Sequence, residues 1–285
     1  MTEVLRYAAF VDSAAPGSFD RGNPAGVVPD ASTLTDAEMQ AIAAEVGYSE
    51  TAFLTGPTTD GARSIRYFSP LAEVPFCGHA TIATAVVLAE REGPGRFRFA
   101  TAVGDVVIET RRREAGEIEA SFTSVEPAGE EIAPQTLVAL LDLLGLAPAD
   151  LAAEFPPRIS FAGNRHPVLV VDRADVFDAF SFDPVALRDL MDAEGWAGTV
   201  TVMHRLSDTE WEGRNPFPVG EIIEDPATGS AAAAFGAYLR ELKRVPADGR
   251  VVIHQGRHVG RPSVLRVDIP AAGGITVSGG AAPIP

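Results

Sequence analysis

The chain has 285 residues, 39 acidic and 23 basic side chains, and a formal net charge of -16. Lysine occurs once (Lys243) and cysteine once (Cys77). These counts exclude an intrachain disulfide, a cysteine-rich zinc site and a two-thiol racemase pair, and they argue against Schiff-base chemistry, nucleic-acid binding and attachment to anionic membranes.

Leu5–Val11 reads as a strand, and residues 35–47 read as a helix. Thr35 and Glu38 match a capping box, Met39, Ile42, Ala43 and Val46 line one face, and Gly47 supplies the stop. Residues 51–54 and 64–68 read as strands and 79–91 as an apolar helix. Strands follow at 96–100, 105–111 and 116–122, the last two as a hairpin across a charged turn. The Pro- and Glu-rich stretch 126–131 reads as a linker. A helix is expected over Pro134–Leu144 and strands at 167–171, 198–204, 251–254, 263–269 and 275–278. An alanine-rich helix spans 230–243. Strands outnumber helices and come in runs, which favours α+β over a doubly wound sheet.

An internal repeat organises these elements. Gly22-Asn23-Pro24-Ala25-Gly26-Val27-Val28 is echoed by Gly163-Asn164-Arg165-His166-Pro167-Val168-Leu169. Arg66-Tyr67-Phe68-Ser69-Pro70 is echoed by Arg214-Asn215-Pro216-Phe217-Pro218. Cys77-Gly78-His79-Ala80 is echoed by Thr228-Gly229-Ser230-Ala231. Three echoes in one order imply two similar halves, 1–125 and 126–285, each an antiparallel sheet or barrel around one buried helix. The last strand, near 274–285, is a candidate to return to the first half.

Glycine at a helix start lets a ligand approach unpaired N–H groups at the positive end of the helix dipole. Gly78-His79 and Gly229-Ser230 are two such starts. If the halves are related by a pseudo-twofold axis, both face one interdomain cleft suited to a carboxylate. His79, Asp225, Ser230 and Glu50 are side chains near them that can move or hold protons. The five histidines show no metal-ligand spacing, so no metal is expected. No phosphate loop, dinucleotide fingerprint or nucleophile elbow is present.

Gly22-Asn23-Pro24-Ala25, Ser49-Glu50-Thr51-Ala52-Phe53, Arg66-Tyr67-Phe68-Ser69-Pro70, Glu73-Val74-Pro75-Phe76-Cys77-Gly78-His79-Ala80-Thr81 and Glu224-Asp225-Pro226-Ala227-Thr228-Gly229-Ser230-Ala231 resemble the PhzF family of phenazine-biosynthesis-like isomerases. The resemblance implies a diaminopimelate-epimerase-like fold, a homodimer and isomerisation without a cofactor. It assigns the acid/base role to Glu50 and cleft roles to His79, Asp225 and Ser230. Gly78 and Gly229, the helix starts themselves, and Asn23, Cys77 and Thr228 within the same blocks are further candidate substrate contacts. Epimerases of this fold carry a thiol at each helix start, whereas here Cys77 is matched by Thr228, so the proton carrier is expected to be a carboxylate.

The expected activity is proton transfer between carbons of a small carboxylate-bearing substrate. Glu50 would be partly desolvated, Asp225 and His79 would hold the substrate's amine or ring, and Ser230 would bind the carboxylate or support Asp225. The alternatives are an amino-acid epimerase or racemase with a non-thiol second base, and a non-catalytic binder of small carboxylates. No apolar run spans a bilayer and no signal pattern is seen, so a cytoplasmic location is expected, with no nucleic-acid or membrane partner.

Overall fold

The computed structural model describes residues 2–11, 20–220 and 222–285. The elements run β1 (Leu5–Val11), β2 (Asn23–Val28), α1 (Asp36–Val46), β3 (Glu50–Pro57), β4 (Arg63–Phe68), β5 (Glu73–Val74) and α2 (Gly78–Glu92). Next come β6 (Arg96–Thr101), β7 (Gly104–Arg112), β8 (Ile118–Thr123), β9 (Ala128–Glu131) and α3 (Pro134–Leu144). Then follow β10 (Arg158–Phe161), β11 (Arg165–Val171), α4 (Ala174–Ala179), α5 (Pro184–Glu194), β12 (Thr201–Arg205) and β13 (Glu210–Arg214). The chain ends with α6 (Gly229–Glu241), β14 (Arg250–Gln255), β15 (Ser263–Asp268) and β16 (Thr276–Pro283). Two compact units result, Met1–Thr123 with Ser278–Pro285, and Ser124–Val277.

In the first unit the strands are ordered β1-β2-β3-β4-β6-β7-β8, and β16 pairs with β1, so eight strands close on themselves. A closed sheet leaves no edge to template aggregation. Helix α2 fills it: every residue from His79 to Ala89 is buried. Small and β-branched side chains let the strands approach from all sides. The buried hydroxyls of Thr81 and Thr84 donate to the helix's own carbonyls at Cys77 (2.6 Å) and Ala80 (2.7 Å). Closure imposes one local distortion. The β1–β16 register shifts between Ala9 and Val11, and Phe10 between them takes φ 59. Gly279 accommodates it, because a Cβ there would sit 2.4 Å from the Phe10 ring.

Helix α1 packs on the outer face through Met39 and Ala43 against Val28, Phe53 and Phe68. Its capping box is complete: Thr35 Oγ1 accepts from the Glu38 N–H at 3.3 Å, and the Glu38 carboxylate accepts from the Thr35 N–H at 2.8 Å. Gly47 ends it in the left-handed region at φ 70.

The second unit repeats the pairing pattern. β1–β2, β3–β4 and β6–β7 are antiparallel, while β2–β3 and β4–β6 are parallel. Likewise β10–β11, β12–β13 and β14–β15 are antiparallel, while β11–β12 and β13–β14 are parallel. Each parallel pair needs a crossover, and helices supply all four: α1, α2, the α4–α5 pair and α6. Helix α6 is buried from Ala231 to Leu239. On the other side of the sheet, α3, α4 and α5 build a second core around Leu140, Leu144, Leu169, Phe177, Met191 and Trp196.

One expectation is corrected. The proposed linker at 126–131 contains β9, which pairs antiparallel with β10 at the edge of the second unit's sheet. Its four residues are all exposed, which is why the stretch reads as a loop.

Candidate active site

Helix α2 starts where β4 has turned back on itself. Ser69 closes the turn by accepting from the Leu71 and Ala72 N–H groups, and β5 re-pairs with β4 at Tyr67 and Phe68. Cys77 then takes the N-cap position in extended geometry. Its carbonyl accepts from Thr81 Oγ1, so the Tyr67 hydroxyl donates to Thr81 at 2.6 Å. Burial pushes the Tyr67 phenol above its ordinary range and keeps it a donor. A buried tyrosine thus pins the start of the helix.

Glu50 is the first residue of β3, held in parallel register opposite Ala25 of β2. From there its Oε2 lies 3.5 Å from the Cys77 thiol, which donates to it, and 3.5 Å from His79 Nε2. The Glu50 side chain is 20% exposed and that of His79 8%, so the pair is half-shielded and reachable. Ser49 Oγ is 3.5 Å from His79 Nε2. A Cβ on Gly78 would meet nothing closer than the Phe76 ring at 3.8 Å, so the first turn of α2 has open space beside it. Asn23 is buried at the start of β2, two residues before the partner of Glu50.

The Glu50 carboxylate, Cys77 thiol and His79 ring offer three potential ligand atoms within 4.8 Å of one another. Histidine spacing could not reveal this, because the carboxylate comes from β3. The sulfur is almost equidistant from the two ring nitrogens, 3.4 Å from Nδ1 and 3.8 Å from Nε2.

In the second unit the start of α6 is more constrained. The buried Arg214 guanidinium pairs with Glu224 at 2.5 Å and donates to the Phe177 and Phe180 carbonyls at 3.0 Å. It lies 3.7 Å over the Phe180 ring. The Asp225 N–H donates to the Asn215 carbonyl at 2.9 Å. Thr228, the N-cap, donates to Asp225 Oδ2 at 2.6 Å. Gln255 of β14 donates to the Asp225 carbonyl (2.6 Å) and Thr228 Oγ1 (3.0 Å), and accepts from the Thr228 N–H. Gly229 is the first residue of α6, and Ser230 Oγ meets His166 Nε2 at 3.0 Å. The hydroxyl that supports Asp225 here is therefore that of Thr228. Ser49, His166 and Gln255 join the two clusters without having been singled out. His166 falls inside the repeat's first echo, which marked its segment and not its role.

Fold and site define the class: an α+β protein of epimerase architecture, with a carboxylate–imidazole–thiol cluster at the start of one buried helix. The chain belongs to the PhzC-PhzF family of phenazine biosynthesis-like proteins, which it matches over residues 7–284. It is 35% identical to an uncharacterized isomerase, YddE, of Escherichia coli strain K12, over 87% of this chain and 85% of that one. It is 30% identical to a trans-2,3-dihydro-3-hydroxyanthranilate isomerase of Pseudomonas aeruginosa, over 89% of this chain and 87% of that one. Among solved structures, a PhzF-family protein of Bacillus anthracis superposes with a TM-score of 0.83 at 26% identity, covering 99% and 96% of the two chains. A probable proline racemase of Agrobacterium radiobacter shares the fold at a TM-score of 0.63 and 12% identity, covering 99% and 91%. The chain is thus an isomerase of the PhzF family. No helix among its described residues is long and apolar enough to cross a membrane.

Proposed function

We propose that this isomerase works without a cofactor, moving a proton between two carbons of a small carboxylate-bearing substrate with Glu50 as the general acid/base. The observation that carries the reading is the half-shielded Glu50 Oε2, 3.5 Å from both Cys77 Sγ and His79 Nε2. A carboxylate so placed can take a proton from an activated carbon and return it to another, while His79 and the thiol steady it between the two events. The first-turn N–H groups of α2 and α6 lack intrahelical acceptors and suit a substrate carboxylate. Asp225, kept in place by Thr228 and Gln255, is assigned to the substrate's amine or hydroxyl. Lys243, the only lysine, is exposed just beyond α6, which disfavours a covalent carbonyl mechanism.

The test uses trans-2,3-dihydro-3-hydroxyanthranilate, the substrate named for the Pseudomonas relative, in deuterated water. Glu50→Gln should lower kcat/KM by about 10²- to 10⁴-fold and abolish deuterium uptake at carbon. Cys77→Ser should retain both within about tenfold, because the thiol supports the carboxylate without carrying the proton. Undiminished exchange in Glu50→Gln, or a Cys77→Ser variant as inactive as Glu50→Gln, would sink the assignment. Inversion at one carbon without movement of a double bond would turn the reading to epimerisation.

A further inference from the structure

The second unit holds a titratable group that the proton-transfer scheme leaves unused. His166 lies on β11, is 0% exposed, and sits where the backbone is shaped to receive its ring. Gly198 faces it, and a Cβ there would come within 2.6 Å of His166 Cε1. Nδ1 is 3.0 Å from the Thr199 carbonyl oxygen and 3.1 Å from Thr199 Oγ1, and Nε2 is 3.0 Å from Ser230 Oγ.

These contacts fix where the protons are. A carbonyl oxygen only accepts, so Nδ1 carries the ring hydrogen. Burial holds the ring neutral, pushing its pKa down to about 4. A neutral imidazole with its hydrogen on Nδ1 has a bare lone pair on Nε2. That lone pair can only accept, so the Ser230 hydroxyl donates to it. The hydroxyl hydrogen is thereby committed inward, and Ser230 Oγ is left with lone pairs alone for any other partner. A carboxylate also only accepts, so it is a poor match for this oxygen. The matching groups are the N–H of an amine or the O–H of a hydroxyl.

We infer that His166 is a positioning residue that fixes the polarity of Ser230, so that Ser230 Oγ accepts from a donor on the substrate next to its carboxylate. The carboxylate itself falls to the first-turn N–H groups of α6. The residue therefore presents an N–H donor and an oxygen acceptor side by side, which selects acids carrying a neighbouring amine or hydroxyl over acids carrying a methyl there. This assignment rests on the reading of the α6 start as substrate-binding, and deepens it.

The experiment is calorimetric binding of 2-aminobenzoate and of 2-methylbenzoate to the intact protein, which needs no turnover. The native protein should prefer the amine-bearing acid by about tenfold, the ratio that one net hydrogen bond supports. Ser230→Ala should cut the ratio severalfold, leaving only the share that Asp225 contributes. His166→Phe should do the same, and the double variant should lose nothing more. His166→Gln, whose amide can donate to Thr199 and accept from Ser230, should restore it. The ring ¹⁵N spectrum should show, at pH 7, a neutral histidine protonated on Nδ1 whose signal is lost in the His166 variants and so is assigned to that ring. Emission of Trp196 and Trp211, both buried in this unit, verifies that each variant is folded. A folded His166→Phe or Ser230→Ala with the full preference, a native protein with none, or a hydrogen on Nε2 would each overturn the inference. The binding ratio is read without turnover and the base assignment is read by deuterium uptake, so a failed base assignment and a failed polarity assignment give different results.

Discussion

The starts of α2 and α6 occupy equivalent places in two units of the same topology, and they solve the same problem differently. Both N-cap residues, Cys77 and Thr228, are extended, and neither side chain caps its own helix. Each donates instead to a carboxylate: Cys77 to Glu50 at 3.5 Å and Thr228 to Asp225 at 2.6 Å. Giving up a cap costs about 1 kcal/mol of helix stability, and leaves the first-turn N–H groups for another acceptor. The difference lies in how the carboxylate is held. Glu50 comes from another strand and is contacted by a soft thiol and an imidazole. Asp225 is buried, lies three residues upstream of its donor, and is clamped through Gln255. The looser carboxylate suits proton transfer, and the rigid one suits positioning.

The arginine of each repeat offers the sharpest way to break this comparison. Arg214→Met leaves Glu224 buried and unpaired and strips donors from the Phe177 and Phe180 carbonyls. Loss of one partner from a buried pair costs about 3–5 kcal/mol. Urea unfolding followed by the emission of Trp196 and Trp211 reads the second unit directly. A loss below about 1 kcal/mol would show that the α6 start is not braced from beneath.

The next effect is set by pH. The folded protein keeps His166 neutral with a pKa near 4, whereas the unfolded chain protonates it at about 6.5. As pH falls the unfolded state binds the extra proton, so stability is intact above about pH 6.5 and is lost progressively toward pH 4. The shift corresponds to about 3 kcal/mol in all. His166→Gln removes this titration, so the slope of stability against pH between 7 and 5 should be shallower in the variant than in the native chain. Equal slopes would show that the ring is not held neutral.

How much of this was legible in the sequence depends on whether the signal was local. The capping box at Thr35 and Glu38 and the apolar runs of α2 and α6 are local patterns, and all three helices form where expected. Strand β9 was missed because Ala128, Gly129, Glu130 and Glu131 are exposed and alternate nothing. Strand β13 was missed because Glu210, Glu212 and Arg214 outweigh the single apolar Trp211, which is buried. At the site, Cys77 and His79 share a segment, but Glu50 joins them from 27 residues away: the sequence offers it as one of four proton-moving side chains, and the family resemblance gives it the acid/base role. His166 meets Ser230 across 64 residues and Gln255 meets Thr228 across 27. Such pairings follow from strand register, and no spacing rule reports them.

The smallest effect is the control that gives the arginine comparison its meaning. Arg66 holds the place of Arg214 in the first unit's repeat and pairs with Glu73 and Asp36 at 2.7 and 2.6 Å. Its guanidinium keeps both carboxyls below their ordinary range, yet Glu73 is 43% and Asp36 78% exposed, so water competes for every charge. Its guanidinium carbon lies 5.1 Å from the Phe68 ring centroid, a place where a methionine side chain can still cover the ring. Arg66→Met should therefore cost under about 1 kcal/mol in thermal unfolding by circular dichroism. That cost should fall further in about 1 M salt, where the Debye length is about 3 Å. A loss as large as that of Arg214→Met, unmoved by salt, would mean that the first helix start is braced as rigidly as the second, and the contrast between a yielding and a clamped carboxylate would go with it.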